Sequence, residues 1–213
     1  MAKLYISNIN AFNDLNGFEL VTNTRKERIY EYKQHEDKVR CLLVGLLLRK
    51  VCAITDDCQL IYGPNGKPYL KNNAMHFSIS HSGNYVILAT ADNEIGIDIE
   101  KINIYPEDNY FKDVAVRYFT TQELEWMLQE KTNETFYYIW TAKESIMKGT
   151  GLGFSLSPRE FSVLPIDSSA HNIAGKYWFF YWLQFDNHII CQAISNKQEK
   201  IETLTLGRDD LLI

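Results

Sequence analysis

No stretch of this 213-residue chain approaches the ~20 consecutive apolar residues that cross a bilayer. Its opening residues, MAKLYISNIN, lack the apolar run of a secretory signal. The two absences predict a cytoplasmic protein with no membrane role. Cysteine is sparse as well. Cys41, Cys52, Cys58 and Cys191 show no CxxC spacing and no accompanying His cluster, which excludes a zinc site and predicts reduced core thiols. No G-x-S-x-G elbow is present, so the adjacent Ser80 and His81 do not read as a hydrolase pair. Successive strand residues also point to opposite faces. A net charge of −5 excludes a broad nucleic-acid footprint. No low-complexity linker divides the chain.

What is present begins with core-forming residues, 46% hydrophobic and 13% aromatic, enough for one large domain or two modest ones. Charge is unevenly spread. From residue 25 to 50, Arg25, Lys26, Arg28, Lys33, Lys38, Arg40, Arg49 and Lys50 outnumber Glu27, Glu31, Glu36 and Asp37. Such an excess is either a solvated helix face or a local phosphate site.

The periodicity predicts helices over 24–34 and 36–53, then a hairpin in LIYGPNGKPYL with Asn65-Gly66 at its turn. FSIS (77–80), NYVILATA (84–91) and IGIDIE (95–100) predict an antiparallel meander. Helices return after Pro106. One of them is opened by the capping box Thr120-x-x-Glu123, and another, NETFYYIWTAKESIMKG, is capped by Asn133 and stopped at Gly149. EFSVL, KYWFFYWLQF, NHIICQAIS and KIETLTL read as closing strands. Helices thus precede strands twice, which predicts an α+β fold of two similar halves, 1–101 and 102–213, each with helices packed on a small antiparallel sheet.

In IGIDIEK, strand alternation puts Asp98 and Glu100 on one face with Gly96, about 7 Å apart, and Ile95, Ile97 and Ile99 on the other. Two like charges there need solvent or a cation to offset them. Magnesium, which binds through one or two carboxylates plus phosphates and water, fits the pair. Glu144 and Lys148 form an i,i+4 pair, which is common as surface stabilisation. Lys143 falls within the apolar arc of its helix, so it reaches water or meets an anion. His81 is either structural or a donor to a phosphate. GTGLGF (149–154) follows a helix instead of opening one, so it reads as a cap and turn, not a nucleotide loop.

Together, FSISHSGNYVILA, IGIDIEKI and WTAKESIMKGTGLGF resemble the motifs of the 4′-phosphopantetheinyl transferases, in order and separation. The closer likeness is to the long, two-half, surfactin-synthetase-activating type. The resemblance implies a monomer with its active site in a cleft between the halves. It implies transfer of the phosphopantetheine arm of coenzyme A to a serine of an apo acyl or peptidyl carrier protein. Adenosine 3′,5′-bisphosphate would leave and Mg²⁺ would be required. By motif, Asp98, Glu100 and Glu144 become the metal ligands, with Glu144 also the candidate base and Lys148 the group that meets the departing phosphate. Trp140 and Lys143 complete the W-x-x-K-E motif, and Lys143 is placed among the coenzyme contacts. His81, with Arg25, Arg28 and Arg40, stands for the 3′-phosphate site, although Arg25 and Arg28 replace expected lysines, and Ser80 is placed among the coenzyme contacts. Gly66, Lys67 and Pro68 stand beside the adenine. A Mg²⁺-dependent phosphohydrolase and a non-catalytic carrier-binding module are the alternatives.

Overall fold

The computed structural model describes residues 1–12, 14–103, 109–130, 132–167, 169–197 and 200–213. In chain order the regular elements begin with β1 (Ala2–Asn8), α1 (Asn23–Glu31), α2 (His35–Cys52), β2 (Leu60–Tyr62), β3 (Pro68–Leu70), β4 (His76–Ser82) and β5 (Tyr85–Ala91). They continue with β6 (Ile95–Lys101), α3 (Asn109–Tyr118), α4 (Thr121–Glu130) and α5 (Asn133–Thr150). The last are β7 (Ala170–Ile173), β8 (Lys176–Phe185), β9 (His188–Ile194), β10 (Ile201–Thr205) and α6 (Arg208–Leu212). This is a mixed α+β fold with mainly antiparallel sheets. Among the described residues no helix is long and apolar enough to cross a membrane.

The chain divides into two compact units, Met1–Asp92 with Lys200–Ile213, and Asn93–Glu199. In the first, a four-stranded sheet has the order β10-β1-β5-β4, with β1 parallel to β10 and the other pairs antiparallel. Its core centres on α2, which buries Leu42, Leu43, Leu46 and Leu47 completely. A helix apolar on nearly every side belongs at the middle of a core. The second unit has an all-antiparallel sheet, β6-β9-β8-β7, against which α5 packs. Phe136, Ile139, Ile146 and Met147 of α5 join Trp178, Phe180 and Ile189 of the sheet in one core.

Two expectations about organisation change. β4 and β5 form the predicted hairpin, but β6 does not extend it. The missing piece in the sequence reading is β1, which takes the free edge of β5 from Lys3 to Asn8. With β4 on its other edge, β5 has no ladder left to offer, and β6 pairs with β9 over seven residues. The division therefore falls before β6 and not after it. KIETLTL, expected in the second half, supplies β10 to the first unit.

Smaller differences are local. EFSVL is not a strand: Pro158–Glu160 makes a 3₁₀ turn, and residues 161–164 belong to no helix or strand. The hairpin turn of LIYGPNGKPYL is wider than two residues, with the Gly63 N–H bonded to Lys67 O at 2.9 Å and Gly66 at a φ of +81°. Thr132, not Asn133, caps α5, its hydroxyl accepting from the Thr135 N–H at 3.3 Å. The helix also runs through Gly149 and ends on Gly151, whose φ of +71° suits a left-handed cap.

Candidate active site

The site in the second unit starts from two glycines. A Cβ on Gly96 of β6 would lie 1.8 Å from Ser145 O and 2.4 Å from Gly149 N, both backbone atoms of α5. A Cβ on Gly149 would meet Trp178 Cζ3 at 2.9 Å. Helix and strand thus touch backbone to backbone, which only glycine permits. Alternation along β6 then carries the α5-facing side from Gly96 to Asp98 and Glu100.

Asp98, only 3% exposed, accepts a hydrogen bond from Lys148 Nζ on Oδ1 at 2.6 Å. Lys148 keeps about a third of its side chain exposed while its ammonium pairs with the buried carboxylate. Glu100 is half-buried at the outer end of the same face. Burial pushes the Glu144 carboxyl above the usual glutamate range, the Asp98 charge pushes it further, and the Lys148 charge opposes both. The helix therefore brings together Asp98, Glu144 and Lys148, two acids sharing one base across the strand–helix contact. Trp140, one turn before Glu144, stacks on Phe136 with ring centroids 6.1 Å apart and packs against Tyr118.

Lys143 is placed differently from the expectation that it contacts the coenzyme. It is fully buried, and its ammonium donates to Glu123 Oε2 at 2.8 Å, Pro158 O at 2.6 Å and Phe161 O at 2.8 Å. It also lies 4.5 Å from the centre of the Phe161 ring. Burial lowers its pKa, and the Glu123 charge opposes that shift. Glu123 serves several groups at once. Its Oε2 accepts the Thr120 N–H at 2.8 Å, as the capping box requires, and its Oε1 accepts the Val163 N–H at 2.8 Å. Removing one partner from such a pair costs about 3–5 kcal/mol, because the other charge stays buried. Of the two readings of an apolar-face lysine, the anion is correct, and the anion belongs to the protein.

The first unit holds the remaining candidates in three places. Arg25 and Arg28 line one pocket together with Thr22, Thr24, Asp57 and Tyr62. Arg25 Nη1 also approaches Cys41 Sγ at 3.7 Å. Arg40 clamps the β4–β5 turn, donating to Gly83 O from Nε at 3.1 Å and Nη2 at 2.9 Å, and to Asp37 Oδ1 from Nη1 at 2.6 Å. That turn follows directly on β4, where Ser80 is buried and His81 is exposed, on opposite faces as alternation demands. Gly66 and Lys67 occupy the loop between β2 and β3 and Pro68 opens β3, with Lys67 Nζ 5.3 Å from the centre of the Tyr69 ring.

Sequence reasoning missed Tyr62, Thr22, Thr24 and Asp57 around the arginines, and Glu123 as the partner of Lys143. Only Glu123 and Gly96 carried a usable signal: a capping glutamate and a glycine inside a strand.

Residues 94–200, half of the chain, match the 4′-phosphopantetheinyl transferase superfamily. The chain belongs to that superfamily. Residues 14–93 match the N-terminal region of 4′-phosphopantetheinyl transferases, so the two matches meet within the turn between β5 and β6. A relative in Synechocystis sp. (strain ATCC 27184 / PCC 6803 / Kazusa) is 37% identical over 148 residues, covering 64% of this chain and 59% of that protein. A 4′-phosphopantetheinyl transferase of Bacillus subtilis is 34% identical over 152 residues, 67% of this chain and 66% of its own length. Another, from Aneurinibacillus migulanus, is 28% identical over 200 residues, 90% of this chain and 72% of its own. The first two matches therefore span less than two thirds of the relatives' length. The 4′-phosphopantetheinyl transferase Sfp of Bacillus subtilis (strain 168) is 34% identical over 152 residues, 67% of this chain and 66% of its own length.

Proposed function

We propose that the protein transfers the 4′-phosphopantetheine arm of coenzyme A to a serine of an apo acyl or peptidyl carrier protein, releasing adenosine 3′,5′-bisphosphate. The observation that carries the reading is the Asp98–Lys148 contact of 2.6 Å beside a half-buried Glu144, within a transferase superfamily member. Carboxylates and one cation grouped in this way suit phosphoryl chemistry, where catalysis is mostly positioning and charge neutralisation.

Magnesium fits the donors present. Among the described residues no three His, Cys, Asp or Glu side chains are grouped to hold a metal by themselves. Mg²⁺, however, uses one or two carboxylates and takes its other ligands from phosphate and water. Its one or two carboxylate ligands would come from among Asp98, Glu100 and Glu144. The mutual repulsion of Asp98 and Glu144 is the imbalance a cation would relieve. When bound, Mg²⁺ supplies neutralising charge at the pyrophosphate oxygens.

The chain's own residues do the rest. Glu144 accepts the proton of the carrier serine as its oxygen attacks the phosphorus nearer the pantetheine. Lys148, partly exposed, neutralises the phosphate of the departing bisphosphate. In the first unit, the pocket shared by Arg25 and Arg28 offers two cations to a phosphate, with Arg40 and His81 near the β4–β5 turn as further donors. Gly66, Lys67 and Pro68 are proposed beside the adenine.

The test is the intact mass of a purified apo carrier protein after incubation with this protein, coenzyme A and Mg²⁺. A gain of one phosphopantetheine that a chelator abolishes is expected. Consumption of coenzyme A with no mass gain on fatty-acid and peptide carriers would replace transfer by hydrolysis. No change in either would leave a carrier-binding module.

A further inference from the structure

We infer that the buried Glu123–Lys143 pair is a positioning element for Glu144, setting the rotation of α5 about its own axis. The inference rests on the proposed role of Glu144.

An ammonium has three hydrogens to donate, and Lys143 places all three: on Glu123, on Pro158 O and on Phe161 O. Glu123 in turn holds the Thr120 and Val163 amides. One ion pair thus joins α4, α5 and the segment 158–163. A pair with both side chains fully buried adds little net stability over a well-packed apolar substitute, so its value lies in fixing one arrangement.

Helix α5 meets fixed neighbours at two points. Near its end, Gly149 rests on Gly96 and Trp178. In its middle, Lys143 is locked by acceptors from two other segments. Glu144 is the next residue, so its direction relative to Asp98 follows from the lock. A carboxylate lies ~6 Å from the helix axis, so a rotation of ~10° moves it by about 1 Å. A displacement of that size can cost ~100-fold in rate. Apolar packing alone, as at Ile139 and Ile146, tolerates small rotations that three directional hydrogen bonds do not.

The test is the double variant Glu123→Gln with Lys143→Met. It removes both charges while Gln can still accept the Val163 amide. The expected protein is folded, with kcat for carrier loading at least tenfold lower and KM for coenzyme A within twofold of wild type. Unchanged kcat in the folded double variant overturns the inference. So does a tenfold rise in KM for coenzyme A at unchanged kcat, which would return Lys143 to the coenzyme. Should the double variant fail to fold, Glu123→Asp carries the same test, since it keeps the charge pair and withdraws it by one methylene. Hydrogen exchange of the Glu144–Lys148 amides reads the lock without activity. Tenfold acceleration is expected, and unchanged protection overturns the inference. A wild-type protein that loads no carrier would defeat the functional proposal alone. An active wild type matched by the double variant would defeat only the positioning role.

Discussion

The helices α2 and α5 are both eighteen residues long, and each is the most buried helix of its unit, yet they are built for different ends. α2 buries Val39, Leu42, Leu43, Leu46 and Leu47; Glu36 and Asp37 sit in its first turn and Arg49 and Lys50 in its last, as the helix dipole favours, while Lys38 and Arg40 lie near its start, Arg40 paired with Asp37. α5 buries Thr135, Thr141, Lys143 and Ser145 among its apolar residues and keeps Glu144 and Lys148 at the margin of burial. A helix meant only to fill a core would not carry them. Each of these four buried polar groups has a named partner: the Thr132 hydroxyl for Thr135, Tyr137 O for Thr141, Ala142 O for Ser145, Glu123 for Lys143. α2 stabilises the unit it belongs to; α5 spends stability to hold charges in place.

The sharpest break in this comparison is Asp98→Ala. Carrier loading should fall by about 1,000-fold or more, as expected when a group that neutralises transition-state charge is lost, while circular dichroism stays native. Near-normal turnover at saturating Mg²⁺ would remove Asp98 from the site. Next come the glycines. Gly96→Ala drives a methyl into helix backbone at 1.8 Å, and the folded state should lose ~3 kcal/mol or more. In α2, a Cβ at Gly45 meets Val21 Cγ1 at 2.6 Å and Arg25 Cγ at 3.0 Å, both side-chain atoms that can shift. Gly45→Ala should therefore cost less, about 1–2 kcal/mol. Urea titration of the two variants ranks them, and an equal or reversed order would contradict the backbone contact. Leu46→Ala should cost ~2–4 kcal/mol through the cavity it leaves. Activity per folded molecule should stay near wild type, measured well below the melting temperature.

Much of this could be read in advance, and the failures have a common cause. Asp98 and Glu100 share a face because alternation is local, and the Thr120–Glu123 box is local too. The helix spans were set by periodicity to within a few residues. Pairing is not local. β6 looked like the third strand of a meander because nothing within residues 77–100 shows that β1 already occupies β5. β1 itself buries Ala2, Leu4 and Ile6 on alternate residues, a pattern its sequence carries. The partner of Lys143 lies twenty residues upstream, on a glutamate that a capping role already accounts for in the sequence. The cradle around Arg25 and Arg28 draws Thr22, Asp57 and Tyr62 from loops and a short strand, where spacing carries no information.

The most direct test of the contrast between the helices is Glu144→Gln, followed by melting temperature against pH in chelator and by carrier loading in Mg²⁺. Glu144 has a folded pKa raised above its ordinary 4.5, first by burial and then by Asp98. The folded state therefore binds this proton more tightly than the unfolded chain. The associated stability is fully present below about pH 4.5 and is lost as pH rises through the raised value. At neutral pH the charged Glu144 should thus cost stability, and Gln should return it. The account predicts a variant that melts higher than wild type at pH 7, shows a flatter dependence on pH, and no longer loads the carrier protein. A variant that melts lower and still loads the carrier would contradict it.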